Sequence, residues 1–113
     1  MHEMSLCEGV LQILQDNANT QGFTKVKTVW LEIGGLSGVE PDAMRFCFDV
    51  VMRGTLANEC RLEIVEIPGK AWCMQCAQVV PVAQRFDACP ECGSFQLQVT
   101  EGEEMKVREL EVE

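Results

Sequence analysis

The stretch from residue 73 to residue 93, CMQCAQVVPVAQRFDACPECG, carries two pairs of cysteines at matching spacing. Cys73 and Cys76 form one C-x-x-C motif, and Cys89 and Cys92 form a second one 12 residues later. Two intervening residues let a tight turn direct both thiolates of a pair at one zinc ion about 2.3 Å away, and a second pair completes a tetrahedron. The spacing therefore predicts one metal ion held by four cysteines.

A structural zinc ion is the metal that this pattern predicts. Four thiolates fill the coordination shell of zinc, whereas a catalytic zinc keeps one position open and commonly uses histidine or a carboxylate. Pro90 and Gly93 suit a metal-binding turn, because proline restricts φ and glycine accepts positive φ. Two disulfides and an iron–sulfur centre are the alternatives, and the regular spacing together with a reducing compartment favours zinc.

The composition describes a small globular protein with an acidic surface. The 113 residues, 47% of them hydrophobic, suit one domain with a small appended module. The chain has 9 Lys and Arg residues against 18 Asp and Glu residues, which gives a formal charge of −9. Binding to a phosphate backbone depends on clustered basic side chains, so nucleic acid is not an expected partner.

The cytoplasm is the expected location of this chain. No apolar run approaches the roughly 20 residues that a membrane-spanning helix requires. The N-terminal MHEMSLCEGV lacks the basic region and the unbroken apolar stretch of a secretory signal. The number of cysteines, 7, is odd, which argues against a disulfide framework and for a reducing compartment.

Apolar periodicity predicts two helices. The first is expected from Met4 to about Asn19, and the second begins with proline at a first helical position and ends before a glycine cap at Gly54. Cys7 and Cys47 lie on the apolar stripes of these helices. A cysteine in that position is usually a small buried hydrophobe, so neither is expected to be reactive.

Three strands complete the predicted sheet. They are expected at Lys25–Ile33, at Arg61–Ile67 and after Gly102, where a change of apolar frame indicates a bulge near Arg108 or Glu109. The fold class is therefore α+β, with a small sheet of about three strands packed with two helices and an inserted zinc-ribbon-like module of four cysteines. We expect residues 1–69 and 100–113 to form an α/β domain and residues 70–99 to form the zinc-binding domain.

No catalytic residue is predicted, and the chain is not expected to be an enzyme. His2 is the only histidine and tyrosine is absent, which excludes Ser-His-Asp triads and multi-histidine catalytic metal sites within one chain. A thiol oxidoreductase that uses Cys73 and Cys76 is a weaker alternative, because the sequence shows no thioredoxin-like βαβ setting.

The first three residues, MHE, offer a second set of metal ligands. The amine of Met1, the backbone nitrogens of His2 and Glu3 and the imidazole of His2 together supply four nitrogens. Such a set suits square-planar or tetragonal nickel(II) or copper(II). A histidine this close to a chain terminus is more often part of a frayed end, so the residues alone leave the role of this site open.

Four stretches along the chain resemble the hydrogenase nickel-incorporation proteins of the HypA/HybF family. They are MHEMSLC at the start, VWLEIGGLSGVE from residue 29, F-x-F-D-V-V-x-R-G-T from residue 46 and AWC-x-x-C…CP-x-C-G from residue 71, and the likeness continues to the terminal VRELEVE. The resemblance implies a metallochaperone that delivers nickel(II) to the precursor of the hydrogenase large subunit. It also implies a partner GTPase of the HypB type, which handles nickel.

The resemblance assigns the metal ligands residue by residue. The residues that correspond to the nickel site of the family are Met1, His2 and Glu3, and those that correspond to its structural zinc(II) site are Cys73, Cys76, Cys89 and Cys92. An alternative function is that of a zinc-ribbon adaptor in transcription or translation. An adaptor would need basic residues beside the ribbon, and Arg85 is the only one between the two cysteine pairs. The oligomeric state stays open between monomer and homodimer.

Overall fold

The computed structural model describes residues 2–113. Its elements, in chain order, are α1 (His2–Gln21), β1 (Val26–Gly34), α2 (Pro41–Met52), β2 (Arg61–Ile67), β3 (Lys70–Cys73), β4 (Gln78–Pro81), β5 (Leu97–Glu101) and β6 (Met105–Val112). The strands form two sheets of three, in the orders β2-β1-β6 and β4-β3-β5. The predicted α+β class is confirmed.

Two compact units divide the chain. The first comprises the described residues up to Leu31 together with Val39–Val65 and Val107–Glu113, and the second comprises Glu32–Gly38 and Glu66–Lys106. The domain division expected from the sequence, residues 1–69 with 100–113 against 70–99, stays a prediction.

The first unit has a core between its two helices and its strands. The helices α1 and α2 pack against each other, and each buries side chains spaced along one face. The fully buried side chains of this core include Cys7, Val10, Leu14, Val26, Val29, Leu31, Met44, Cys47 and Met52. The predicted burial of both helical cysteines is therefore confirmed.

The ends of α2 lie where the sequence signals for a helix start and a helix end predict them, whereas the start of α1 does not. Pro41 begins α2, its N-cap Glu40 accepts a hydrogen bond from the backbone amide of Asp42, and Gly54 follows the helix with a φ of +73°. The helix α1, in contrast, begins at His2 rather than at Met4 as predicted. Residues of the proposed nickel site therefore belong to the first turn of a helix.

The second unit is built on short strands that the sequence did not reveal. In its sheet, Ala71 lies opposite Val80 on one side and Val99 on the other, while Cys73 lies opposite Gln78 and Leu97. Two small apolar clusters result: one around Leu36, Ala71 and Val82, and one that contains the metal-ligand candidates Cys73 and Cys89 with Val80. One of the two clusters is thus formed largely by cysteine side chains.

Among the described residues, no helix is both long enough and apolar enough to span a bilayer.

Candidate metal centres

The first cysteine pair lies where β3 ends and a tight turn begins. The amide of Cys76 donates a hydrogen bond to the Sγ atom of Cys73 over 3.4 Å, and the amide of Ala77 donates to the carbonyl oxygen of Cys73 over 2.8 Å. Ala77 closes the turn with a φ of +53°, a left-handed conformation that is uncommon outside glycine. This turn brings both thiols of the pair to one side of the backbone.

The second pair lies in a similar turn. The amide of Glu91 donates to the Sγ atom of Cys89 over 3.4 Å, and the amide of Gly93 donates to the carbonyl oxygen of Cys89 over 2.8 Å. Gly93 has a φ of +78°, which corresponds to the position of Ala77 in the first turn. A hydrogen bond from the amide of Cys89 to the carbonyl oxygen of Ser94 closes the loop. The glycine predicted to take positive φ does so.

The four thiols converge on one point. The ligand sulfurs of Cys73, Cys76, Cys89 and Cys92 all lie within 4.8 Å of one another. The sulfurs of Cys73 and Cys92 are 3.6 Å apart, and those of Cys76 and Cys89 are 3.9 Å apart. Four sulfurs at about 2.3 Å from a tetrahedral zinc ion are separated by about 3.8 Å. The sulfur atoms therefore have the spacing that a zinc ion requires.

The same distances argue against disulfides. A disulfide holds its sulfurs about 2.05 Å apart, and the separations across this cluster are 3.6 and 3.9 Å. All seven cysteines, each of them within the described part of the chain, are free. The cluster thus fits a four-cysteine metal site.

Backbone amides stabilise the thiolate form of one cysteine in this cluster. The amide of Cys76 donates to the Cys73 sulfur and lowers the pKa of Cys73 to about 7, because a hydrogen bond to sulfur stabilises its charged form. A hydrogen bond with the thiol of Cys92 instead raises the pKa of Cys76 to about 12. Four thiols this close together do not all lose their protons unless a cation is present. A metal ion that binds here must therefore displace protons.

The N-terminal turn of α1 forms the second candidate centre. The imidazole Nδ1 of His2 lies 3.8 Å from the carboxylate Oε2 of Glu3. That same carboxylate oxygen accepts a hydrogen bond of 3.3 Å from the backbone amide of Glu40, the N-cap of α2. The side chain of His2 is 59% exposed, whereas that of Glu3 is 15% exposed. Imidazole is thus open to solvent while the neighbouring carboxylate is held in place. Met1 lies outside the described residues.

The contact between Glu3 and Glu40 was not predicted from the sequence. Glu40 lies 37 residues from Glu3 along the chain, and only the packing of α1 against α2 brings the two together. The start of this helix was predicted from Pro41, and nothing in the sequence indicated a long-range partner for the residue before it.

A family model described as "Hydrogenase/urease nickel incorporation, metallochaperone, hypA" matches residues 1–112. The chain belongs to the HypA family. It is therefore a member of a family of nickel metallochaperones, which bind and pass on an ion, and it is not an enzyme.

Curated relatives agree with this assignment along their whole length. The hydrogenase maturation factor HypA of Rhodopseudomonas palustris (strain BisA53) is 61% identical over 113 residues, which are 100% of both chains. The factor of the same name from Albidiferax ferrireducens is 64% identical over the same span. The resemblance seen in the sequence is thus confirmed.

Solved structures of HypA proteins share the fold. The solution structure of the Ni metallochaperone HypA from Helicobacter pylori superposes with a TM-score of 0.72 at 24% identity, covering 97% of this chain and 96% of that one. A second solution structure of a HypA protein gives a TM-score of 0.72 at 25% identity, covering 99% of this chain and 96% of the other. The α+β arrangement is therefore that of the HypA family.

Proposed function

We propose that this chain binds nickel(II) through Met1, His2 and Glu3 and delivers it to the precursor of the hydrogenase large subunit with the help of a GTPase of the HypB type. Membership of the HypA family is the observation that carries this proposal, since the family is described by nickel incorporation. The relatives are named hydrogenase maturation factors, and these names suggest hydrogenase as the target enzyme. The cytoplasm, where thiol ligands stay reduced, is the compartment in which we expect this to occur.

The start of α1 suits nickel ligation by backbone nitrogen. The first four amides of a helix have no intrahelical acceptor, so those of His2 and Glu3 are not needed for the helix. A dication at a helix N-terminus meets an unfavourable macrodipole. Two amide nitrogens that lose their protons would carry two negative charges and offset both the dipole and the charge of nickel(II). The exposed imidazole of His2 would complete the set with the terminal amine.

The four-cysteine centre has a different role in this proposal. Zinc on Cys73, Cys76, Cys89 and Cys92 would be structural, because four thiolates leave no position for exchange or for a substrate. The hydrogen bonds from backbone amides to the sulfurs of Cys73 and Cys89 also hold two ligands in fixed positions. Nickel is therefore the transferred ion and zinc the resident one.

The adaptor alternative finds no support in the zinc module. Arg85, its one basic residue between the cysteine pairs, donates to the carboxylate of Glu103 over 3.0 Å and to the carbonyl oxygen of Leu36 over 3.2 Å. Both contacts are made to acceptors of the same unit, and a single guanidinium is not the cluster of basic side chains that phosphate binding needs. The formal charge of −9 instead favours electrostatic attraction to a basic protein surface.

The test of nickel binding is a calorimetric titration of protein with a native N-terminus. We expect about one nickel(II) per chain, and we expect a Gly-extended protein and a His2→Ala protein to lose this binding. An added residue converts the amine of Met1 into an amide, and His2→Ala removes the only imidazole of the chain. Affinity should also fall on acidification, since amine, imidazole and amides must lose protons to bind.

Glu8→Ala is the matched control, because Glu8 is an exposed acidic residue of the same helix. Its nickel affinity and its zinc content should equal those of the unchanged protein. Zinc measured in parallel shows whether each variant keeps its four-cysteine centre, and circular dichroism of the helices shows whether it keeps the fold of the first unit. Undiminished nickel binding by the Gly-extended protein, with zinc retained, would contradict the assignment and direct attention to the cysteines.

Delivery needs a separate experiment with purified partners. Nickel-loaded chain, the GTPase and the large-subunit precursor are mixed with and without GTP, and nickel in the precursor is measured after separation. We expect transfer that depends on this chain and that is lost with His2→Ala. Binding of RNA or DNA at physiological salt, with neither protein partner retained, would support the adaptor function instead.

A further inference from the structure

A groove in the first unit runs between the helix α1 and the strand β6. Its volume is about 360 Å³, and both of its walls belong to the first unit. The helix contributes Ile13, Asn17 and Gln21, which are spaced four residues apart and therefore lie along one face of α1. The strand contributes residues 107–110 and 112. These residues take no part in the candidate nickel or zinc centre.

The lining of this groove is largely apolar. Its apolar members are Ile13, Phe23, Val107, Leu110 and Val112. Ile13 is 44% exposed and Val112 is 39% exposed, while the other three are half-buried. Apolar surface of the groove is thus in contact with solvent, and a ligand that covers it would be stabilised by its burial.

The strand beside the groove lies at the edge of its sheet. In the described part of the chain, β6 pairs with β1 on one side and has no strand on the other. An edge strand presents a row of amide and carbonyl groups that are directed away from the sheet. An extended chain that lies along β6 could form hydrogen bonds with these groups and place alternate side chains over the groove.

The opposite edge of the same sheet, β2, is less open. The guanidinium of Arg45, on α2, donates a hydrogen bond to the carbonyl oxygen of Leu62 in β2 over 3.1 Å. Arg45, Phe48 and Leu62 also line a smaller groove there, of about 180 Å³. Because a helix side chain already binds a backbone group of β2, the edge at β6 is better suited to receive another strand.

The charges of the first unit indicate the chemistry of an incoming strand. The unit has 6 Lys and Arg residues against 11 Asp and Glu residues, which gives a formal charge of −5. Glu109 lines the groove, and Glu111 and Glu113 follow it at alternate positions, whereas Arg108 is the one basic residue among the described residues of the lining. Opposite charges on paired strands attract each other. A strand in which Lys or Arg alternates with apolar residues therefore suits both the groove and its acidic surroundings.

A second copy of the chain fits this edge less well. Each copy has a formal charge of −9, so two copies repel each other. The strand β6 also has four charged residues between Lys106 and Glu111. Charged side chains on an edge strand are a common means by which proteins avoid pairing with their own copies. The occupant is therefore expected to be a different chain.

We propose that the groove between α1 and β6 binds an extended peptide segment of a partner protein, in which apolar residues alternate with Lys or Arg. The segment pairs with β6 as a fourth strand of the sheet and directs its apolar side chains toward the groove. The helix face from Ile13 to Gln21 is about 12 Å long, which corresponds to about four residues of extended chain. The binding needs no nickel, so the inference does not depend on the metal sites.

The first test is a titration of a fluorescent peptide, in which Val and Lys alternate over about eight residues, with the full zinc-loaded, nickel-free chain at physiological salt. We expect saturable binding of one peptide per chain. Ile13→Gln should weaken it at least about fivefold, because the change removes an apolar side chain from the wall of the groove. Phe46→Gln is the matched control, since Phe46 is an exposed apolar residue of α2 outside the groove. It should leave the affinity unchanged.

Two further peptides separate strand pairing from general attraction between opposite charges. One has the same composition with its valines and lysines in separate blocks, and the other keeps the alternation but is N-methylated on all its backbone amides. Both should bind at least about tenfold more weakly, since one lacks the alternating faces of a strand and the other lacks backbone donors. Equal binding of all three peptides, or equal weakening by Ile13→Gln and Phe46→Gln, would overturn the proposal.

Hydrogen exchange followed by NMR locates the bound peptide. On addition of the alternating peptide, amides of β6 that exchange freely in the unbound chain should become protected, while exchange in β2 should not change. Protection confined to β2 or to the zinc-binding sheet would overturn the proposal. Protection of β6 that increases with chain concentration in the absence of peptide would also overturn it, because a second copy of the chain would then occupy the edge.

Discussion

Glu3 links the start of one helix to the start of another. Its carboxylate accepts a hydrogen bond from the backbone amide of Glu40, and its side chain is only 15% exposed. Hydrogen bonds from its own backbone amide and from that of Glu40 lower the pKa of Glu3 below its ordinary value of 4.5. Since both donors stabilise the charged form, the ionised carboxylate holds the N-terminal turn beside α2.

This arrangement predicts a pH dependence of stability. A carboxyl group whose pKa is lower in the folded chain stabilises the fold above its unfolded pKa, and this contribution is lost as the pH falls through the folded value. The free energy of unfolding of Glu3→Gln should therefore be lower than that of the unchanged chain near neutral pH. The difference should shrink as the pH falls from about 6 to about 3.

Urea unfolding at a series of pH values measures this difference. Glu8→Gln, on an exposed part of the same helix, serves as the control. A gap between Glu3→Gln and the unchanged chain that stays constant over this range would show that the carboxylate contributes no charge-dependent stability.

The candidate site residues and their contacts could be predicted from the sequence to different degrees, for a physical reason. The spacing of the cysteine pairs alone indicates a metal site, because each pair makes its own turn. The structure brings all four sulfurs together. The contact of Glu3 with Glu40 crosses 37 residues and depends on how two helices pack. Nothing in the local pattern of either residue encodes that distance.

At the scale of elements, the bounds of helices and strands were predicted correctly where a proline, a glycine or a clear apolar pattern marked them. The strand Arg61–Ile67 has the predicted bounds, and the helix from Pro41 begins at its proline and ends before Gly54. The strands β3, β4 and β5 were not predicted, since each has only four or five residues. Only two residues of β3 are buried, Ala71 and the ligand candidate Cys73. The alternation of buried apolar residues along this strand is therefore too short to be recognised in the sequence.

Two glycines in the second unit show how closely its segments approach. Gly102 has a φ of +89°, and a Cβ atom added there would lie 2.7 Å from the Cα atom of Gly69. Both the backbone conformation and the close contact oppose any larger residue. Gly102→Ala should therefore destabilise this unit by about 1–3 kcal/mol.

Gly9→Ala is the matched control, because Gly9 lies within α1 and a Cβ atom there would meet nothing within 4 Å. That change should instead stabilise the chain by about 0.5–1 kcal/mol, since alanine suits a helix interior better than glycine. Chemical unfolding of both variants supplies the two values. Equal stability of Gly102→Ala and the unchanged chain would mean that the backbone at this position adapts without strain.

At the scale of the whole molecule, the two units differ in what stabilises them. The first unit buries large side chains on both helices and on β1, including Leu14, Leu31, Met44 and Met52. The second unit has small clusters, and one of them is made largely of metal-ligand candidates, with Cys73 and Cys89 around Val80. Without an ion, the thiols of that cluster would be left as a set of poorly matched hydrogen-bonding groups.

Removal of zinc should therefore affect the units unequally. Structural zinc contributes an apparent free energy of about 10–16 kcal/mol to the folding of small zinc peptides, which is more than clusters of this size can replace. Chelation of zinc, or Cys73→Ala, should increase amide hydrogen exchange throughout β3, β4 and β5. The amides of α1 and α2 should keep their protection, because the core of the first unit contains no zinc ligand.

Hydrogen exchange read by mass spectrometry on peptides from each unit measures the effect, with zinc content determined on the same samples. Cys60→Ala is the control, since Cys60 lies in the first unit and outside the four-cysteine cluster. It should keep about one zinc per chain and unchanged exchange. A Cys73→Ala protein that retains its zinc, or a zinc-free chain whose β3–β5 amides stay protected, would show that the apolar clusters hold the second unit together without metal.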